Sequence, residues 1–155
     1  MNRNASLFVG MTDRGWGSVG PKRWGVQRVL WTGEVPMEIE KMERAKDGFM
    51  LTFTRELEAD AARLERYTMK SYTYSYHPDY GSDEMEAQEL AITGVQVLQG
   101  RRTLWLGVAG LRSGPMGYVH ELHIDGLRSA PDPVTGESHP LLHDRAYYTV
   151  VKALP

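Results

Sequence analysis

The chain contains no cysteine among its 155 residues, so disulfide bridges and thiol chemistry are both excluded. It also lacks any apolar run approaching the ~18–20 residues that a membrane-spanning helix needs. The opening residues, Met-Asn-Arg-Asn-Ala-Ser, lead into no hydrophobic signal core. The expectation is a cytoplasmic protein, or a segment that begins inside a longer exported one. Nor is there an excess of one charge. Net charge is −2 with both signs mixed along the chain, which argues against a general nucleic-acid or anionic-membrane surface. Two catalytic signatures are missing as well. No Gly-x-Ser-x-Gly nucleophile elbow occurs, and no pair of acids is spaced so as to mark a glycosidase.

What the chain has is alternation. Phe49, Leu51 and Phe53 alternate with Met50, Thr52 and Thr54. Successive strand side chains point to opposite faces, so one face carries two aromatics and a leucine. Asp47-Gly48 just before them predicts a tight hairpin turn using positive φ angles. The same pattern recurs at Tyr67 to Tyr76, at Leu90 to Leu98, at Thr103 to Val108 and at Tyr118 to Ile124. In the last of these, Tyr118, His120, Leu122 and Ile124 share a face. Tyr147 to Val151 is the final predicted strand. Met37 to Ala45 favours helix by propensity. The turn that follows it favours a strand paired back on Phe49, and strand is the reading adopted. Only Arg55 to Arg66 changes period. Leu57, Ala61 and Leu64 lie at helical spacing there, with Asp60 as the predicted cap of a short helix.

These segments amount to about seven strands and one short helix after residue 36, punctuated by turn signals. That predicts an all-β fold, an antiparallel β-sandwich, with no strand–helix alternation of the parallel type. Residues 1–33 differ in composition, holding six glycines and three of the four tryptophans. Leu7-Phe8-Val9 and Gly25 to Trp31 read as two short strands flanking a glycine-rich loop. An isolated hairpin buries little, so this segment needs a partner sheet. Glu34-Val35-Pro36 reads as the linker, dividing the chain into residues 1–36 and 37–155.

Several clusters invite a chemical reading. Gly15-Trp16-Gly17-Ser18-Val19-Gly20 matches a dinucleotide-binding loop in spelling. That loop works only when its last glycine opens a helix whose amides face the phosphates. Here Pro21 and strand-like residues follow, so the match is a sheet connection, and no cofactor is expected. Asn4-Ala5-Ser6 fits a glycosylation sequon, a pattern short enough to arise by chance. His120 and His123 point to opposite faces of one strand. His139 and His143 have no third ligand nearby, so a zinc site is not expected. Asp79, Asp83 and Glu84 cluster in a loop and are weak calcium candidates, since calcium wants six to eight oxygens.

Tyr72, Tyr74 and Tyr76, with Tyr80 beyond them, are the most distinctive feature. Rings with polar tips suit a sugar or a protein surface. They also suit cross-strand packing, which is the first reading of the three that alternate.

Two stretches carry a resemblance. Phe49-Met-Leu-Thr-Phe-Thr, the short helical segment, Leu104-Trp-Leu and Tyr118-Val-His-Glu-Leu-His-Ile-Asp-Gly-Leu-Arg-Ser together resemble bacterial Ig-like domains. Leu7-Phe-Val-Gly-Met-Thr-Asp-Arg-Gly-Trp-Gly, Gly25 to Gly33, Ser71-Tyr-Thr-Tyr-Ser-Tyr-His and Tyr80-Gly-Ser-Asp-Glu are similar to the C-terminal region of large exported bacterial proteins. Those proteins carry a sorbosone-dehydrogenase-like β-propeller, often with a c-type haem domain. The resemblance implies that residues 1–36 are the tail of a propeller blade and residues 37–155 an appended Ig-like module. It implies a propeller or other protein domain as partner, with carbohydrate a further candidate, and a periplasmic or extracellular parent. No Cys-x-x-Cys-His haem attachment is present, and none of the matching positions is a catalytic residue. The resulting expectation is a non-catalytic accessory module. The alternatives are a fragment of a propeller-type sugar dehydrogenase and a small carbohydrate-binding module using the tyrosines.

Overall fold

The computed structural model describes residues 6–12 and 24–152. It divides into two compact units, Met1–Val35 and Pro36–Pro155. The glycine-rich run with Trp16 falls outside the described residues, as do Asn4 and the last three residues.

The first unit is an antiparallel ribbon of β1 (Ser6–Thr12) and β2 (Trp24–Leu30), in register from Ser6 opposite Leu30 to Thr12 opposite Trp24. Alternation places Leu7, Val9, Met11 and Val29 on one face and Phe8, Trp24, Val26 and Leu30 on the other. All eight are exposed. Arg28 sits over the Phe8 ring, 5.8 Å from its centroid.

The second unit is an antiparallel β-sandwich. One sheet runs in the order β10 (Arg145–Val150), β9 (Tyr118–Ile124), β5 (Tyr67–Thr73), β6 (Met85–Leu90). The other runs β3 (Ile39–Ala45), β4 (Gly48–Phe53), β8 (Thr103–Val108), β7 (Ile92–Val97). Eight strands are therefore described where the pattern predicts about seven. The difference lies between residues 85 and 97, where the chain breaks at Ala91 and crosses from one sheet to the other. Met37–Ala45 is strand from Ile39 onward, so pairing outweighs helix propensity there.

The inward faces follow the alternation. Phe49, Leu51, Phe53, Leu104, Leu106 and Leu122 are completely buried, and Met69 and Ile124 nearly so. Two local expectations are corrected. The β3–β4 hairpin turns through Lys46 and Asp47, one residue earlier than predicted, because Gly48 pairs with Ala45 and already belongs to β4. Neither turn residue takes a positive φ. Gly48 is required for a different reason: a Cβ there would lie 1.8 Å from the Leu106 carbonyl oxygen on β8.

The predicted short helix is reduced to a single 3-10 turn at Leu64–Arg66. Backbone pairing with neighbouring loops holds Leu57 extended, and residues 59–62 form turns rather than a helix. The Leu57 amide donates to Arg101 O at 2.7 Å, and Leu57 bridges Ser129. Leu57 and Ala61 are buried all the same, while Leu64 is exposed. Asp60 caps nothing. Its carboxylate accepts from Arg66 at 3.0 Å, and Arg63 stands at the cap position without a side-chain bond. The Tyr67 hydroxyl donates to the Ala61 carbonyl at 2.6 Å, and burial pushes that phenol's pKa up.

Candidate functional site

The four tyrosines singled out by the sequence part company in the structure. Tyr72 is the last but one residue of β5 and is buried. The Lys70 ammonium lies over its ring, 5.0 Å from the centroid, and Tyr74 meets it edge-on at 5.4 Å. Desolvation raises the Tyr72 phenol pKa. Tyr72 is thus a packing residue, as cross-strand alternation expects. Tyr74 and Tyr76 follow the end of β5. Tyr74 is 44% exposed and Tyr76 90% exposed, and Tyr80 stands fully in solvent. These three are the open part of the surface.

Tyr74 and Tyr76 line a groove of about 540 Å³ at the end of the sandwich, facing Met85, Glu86, Met116 and Tyr118. A β-bulge builds one wall. Between the Ser71–Gln88 and Thr73–Met85 pairs, β6 carries one more residue than β5. Such a bulge bends its strand and re-aims a side chain. Glu86 sits within it at φ 54, a left-handed conformation that costs a side-chain-bearing residue about 1–2 kcal/mol. The re-aimed carboxylate explains what the conformation achieves. Its Oε2 accepts from the Tyr118 hydroxyl at 2.6 Å and from Arg112 Nη2 at 2.7 Å. Arg112 also donates to the Glu86 carbonyl and stacks on Tyr118, 4.0 Å from the ring centroid. The Glu86 carboxylate beside it raises the Tyr118 phenol pKa.

The opposite wall is the turn from Gly114 to Gly117. The Gly117 φ of +80° suits glycine, and a Cβ there would meet Thr149 Cγ2 at 2.6 Å. Thr73 Oγ1 ties this turn to β5 by donating to the Gly117 carbonyl at 2.8 Å. A second depression, about 600 Å³, continues from Tyr74 to Ser82 and takes in Tyr80. Ser82 pins that loop, its Oγ accepting from the Ser75 amide and donating to Asp83 O, each at 3.0 Å.

The acids of the loop do not converge. Glu84 is paired with Lys70 on the sheet surface, apart from Asp79 and Asp83. Among the described residues, no three acids or histidines come together in a way that could hold a metal ion. His143 bonds Glu38, and His123 bonds Asp144 at 3.2 Å. His120 is fully buried against Phe49, their ring centroids 5.6 Å apart. Its Nε2 accepts from the Arg112 amide at 3.3 Å, and desolvation lowers its pKa.

Glu86, Arg112 and Tyr118 carry no sequence signal as a group. They lie 26 and 32 residues apart and meet only through the bulge. Alternation identifies Tyr118 as inward-facing, and nothing in the acids at 84, 86 and 89 distinguishes the middle one.

No protein-family model matches this chain, and no curated protein does. Solved structures do match in shape. The crystal structure of the N-terminal part of the bacterial S-layer protein SbsC superimposes with a TM-score of 0.54 at 14% identity, covering 78% of this chain and 25% of that one. The structure of surface layer protein SbsC, domains 1–6, gives 0.52 at 17% identity, covering 78% and 14%. The chain therefore spans a quarter or less of the length of these neighbours. At such identities the likeness is one of fold, and it agrees with the antiparallel sandwich described above.

Proposed function

We propose that this chain is a non-catalytic, Ig-like interaction module from a larger bacterial protein exposed outside the cytoplasm. One observation carries the reading. Tyr74, Tyr76 and Tyr80 are held out at one end of a sandwich whose apolar interior is buried. Large aromatic rings left in solvent, with a rigid framework behind them, suit contact rather than core. The neighbours in shape support that setting: they are structures of a surface layer protein, one of them solved as domains 1–6.

The link to carbohydrate oxidation rests on the resemblance to propeller-bearing exported proteins. A specific feature favours that second reading for the first unit. The β1–β2 ribbon has apolar side chains on both faces, as strands inside a larger sheet assembly do. It would then complete a propeller blade supplied by another domain or chain.

The full chain incubated with a panel of aldoses, a quinone cofactor and a redox dye tests the non-catalytic reading. No dye reduction above the protein-free control is expected. Sugar-dependent reduction abolished by heat denaturation overturns it.

A further inference from the structure

The geometry points to the groove between the Tyr74–Tyr76 segment and the Gly114–Gly117 turn as a binding site for a neutral oligosaccharide. The inference rests on the reading of this chain as an interaction module and names the ligand class of its exposed tyrosine surface.

Size and shape come first. The groove's volume of about 540 Å³ falls within the range of small-ligand sites, roughly 300–1,000 Å³. The adjoining depression shares Tyr74, Ser75 and Tyr76 with it and leads on to Tyr80. Two connected depressions with a ring at each stage suit an extended chain of units better than a single compact molecule.

Charge then selects among the ligands that aromatic rings attract. A nucleic acid would need cations for its phosphates. No lysine or arginine lines either depression, and Arg112 behind the first is committed to Glu86. A quaternary ammonium would need an unoccupied ring face beside an unpaired anion. The Tyr118 face already carries the Arg112 guanidinium, and the Glu86 charge is balanced by it. In the first groove the remaining offer is ring faces of Tyr74 and Tyr76, the thioethers of Met85 and Met116, and an acceptor on a carboxylate whose charge Arg112 balances. The second depression adds the Asp79 carboxylate, a further acceptor for sugar hydroxyls, and the choline probe below tests whether it draws a cation instead. Both protein bonds to the Glu86 carboxylate land on Oε2, so among the described residues Oε1 takes none. A pyranose has a C–H face that lies on a tyrosine ring and an edge of hydroxyls that donate to a carboxylate oxygen. Pre-organisation by the bulge means that Glu86 is already held in place when the ligand arrives.

The test uses the full chain, labelled with nitrogen-15, titrated with three neutral hexaoses: β-1,4-linked glucose, mannose and N-acetylglucosamine. Choline and a proline-rich peptide serve as competing probes. At least one hexaose is expected to shift the amides of residues 73–82, 85–86 and 114–118 in a saturable manner. Tyr76→Ala should then weaken binding about tenfold, a loss of about 1.4 kcal/mol. Glu86→Gln should weaken it several-fold. Tyr80→Ala should weaken the hexaose more than the corresponding disaccharide. Tyr147→Ala, at an exposed ring on β10, should change nothing. Because Tyr76 is exposed, its removal leaves the core intact, and a thermal melt of each variant verifies this. The proposal is overturned if none of the hexaoses shifts these amides, if choline or the peptide does so instead, or if Tyr76→Ala binds as tightly as the parent. Chromatography of the sugar after incubation separates the two readings. A bound but chemically altered hexaose sinks the non-catalytic reading while the site stands; an unbound one sinks the site alone.

Discussion

The Tyr118 hydroxyl and Oε2 of Glu86 lie 2.6 Å apart, joining a core-facing strand to a bulge on the sheet's edge. Proton release from Tyr118 would place two negative charges together, so the bond favours the neutral phenol. The folded-state pKa is thereby raised above the unfolded 10.0, and the contribution to stability is present below pH 10 and lost as pH rises through the folded value. Glu86→Gln should bring the Tyr118 titration back toward 10.0, read by carbon-13 shifts of labelled tyrosine. An unchanged Tyr118 titration in that variant would remove Glu86 as the cause.

His120 shows the opposite sign. Burial holds it neutral, the Tyr118 and Tyr148 backbone bonds offset part of that, and the Arg44 and Arg112 charges add to it. With the folded pKa below the unfolded 6.5, stability is full above pH 6.5 and declines as pH falls from there through the folded value. His120→Gln should flatten that part of the urea-midpoint profile relative to the parent. A slope of the same size in the variant would assign the effect to other groups.

Ser71 Oγ is fully buried without a hydrogen-bond partner. An unsatisfied buried hydroxyl costs about 1–3 kcal/mol. Ser71→Ala should accordingly raise the stability measured by urea unfolding by about 1 kcal/mol. Destabilisation would mean that the hydroxyl is satisfied in solution.

In the core, Leu104→Ala removes a fully buried side chain between the sheets. The expected loss is about 2–5 kcal/mol, the transfer and cavity terms acting together. Leu64→Ala, at an exposed position of the 3-10 turn, should cost less than about 0.5 kcal/mol. Equal losses at the two sites would contradict the assigned burial.

Among the described residues, every member of the hydrophobic core lies between Met37 and Val150. A chain shortened to residues 36–155 should therefore unfold in one cooperative transition. A broad melt, with near-ultraviolet dichroism lost, would contradict a self-sufficient core in residues 36–155.

Much of this architecture was legible from alternation alone. Phe49, Leu51 and Phe53, the inward set at 104, 106 and 108, and the Tyr118-to-Ile124 face all lie where a period of two places them. Local spacing failed where distant backbone intervened. Leu57, Ala61 and Leu64 look helical, yet Arg101 and Ser129 hold the first of them extended. Tyr72, Tyr74 and Tyr76 look alike in sequence, but β5 ends at Thr73, so only the first is covered by its sheet. The Glu86 clasp was invisible because a bulge, not a motif, creates it.

Gly48 carries one more implication. Where its missing side chain would stand, the Leu106 carbonyl already occupies the space. Sliding β4 by one residue along β8 would drive either Asp47 or Phe49 into that notch and turn the aromatic row toward water. A single absent methyl group thus works as a registration mark, fixing how the two strands align in a chain with no covalent cross-link to do so.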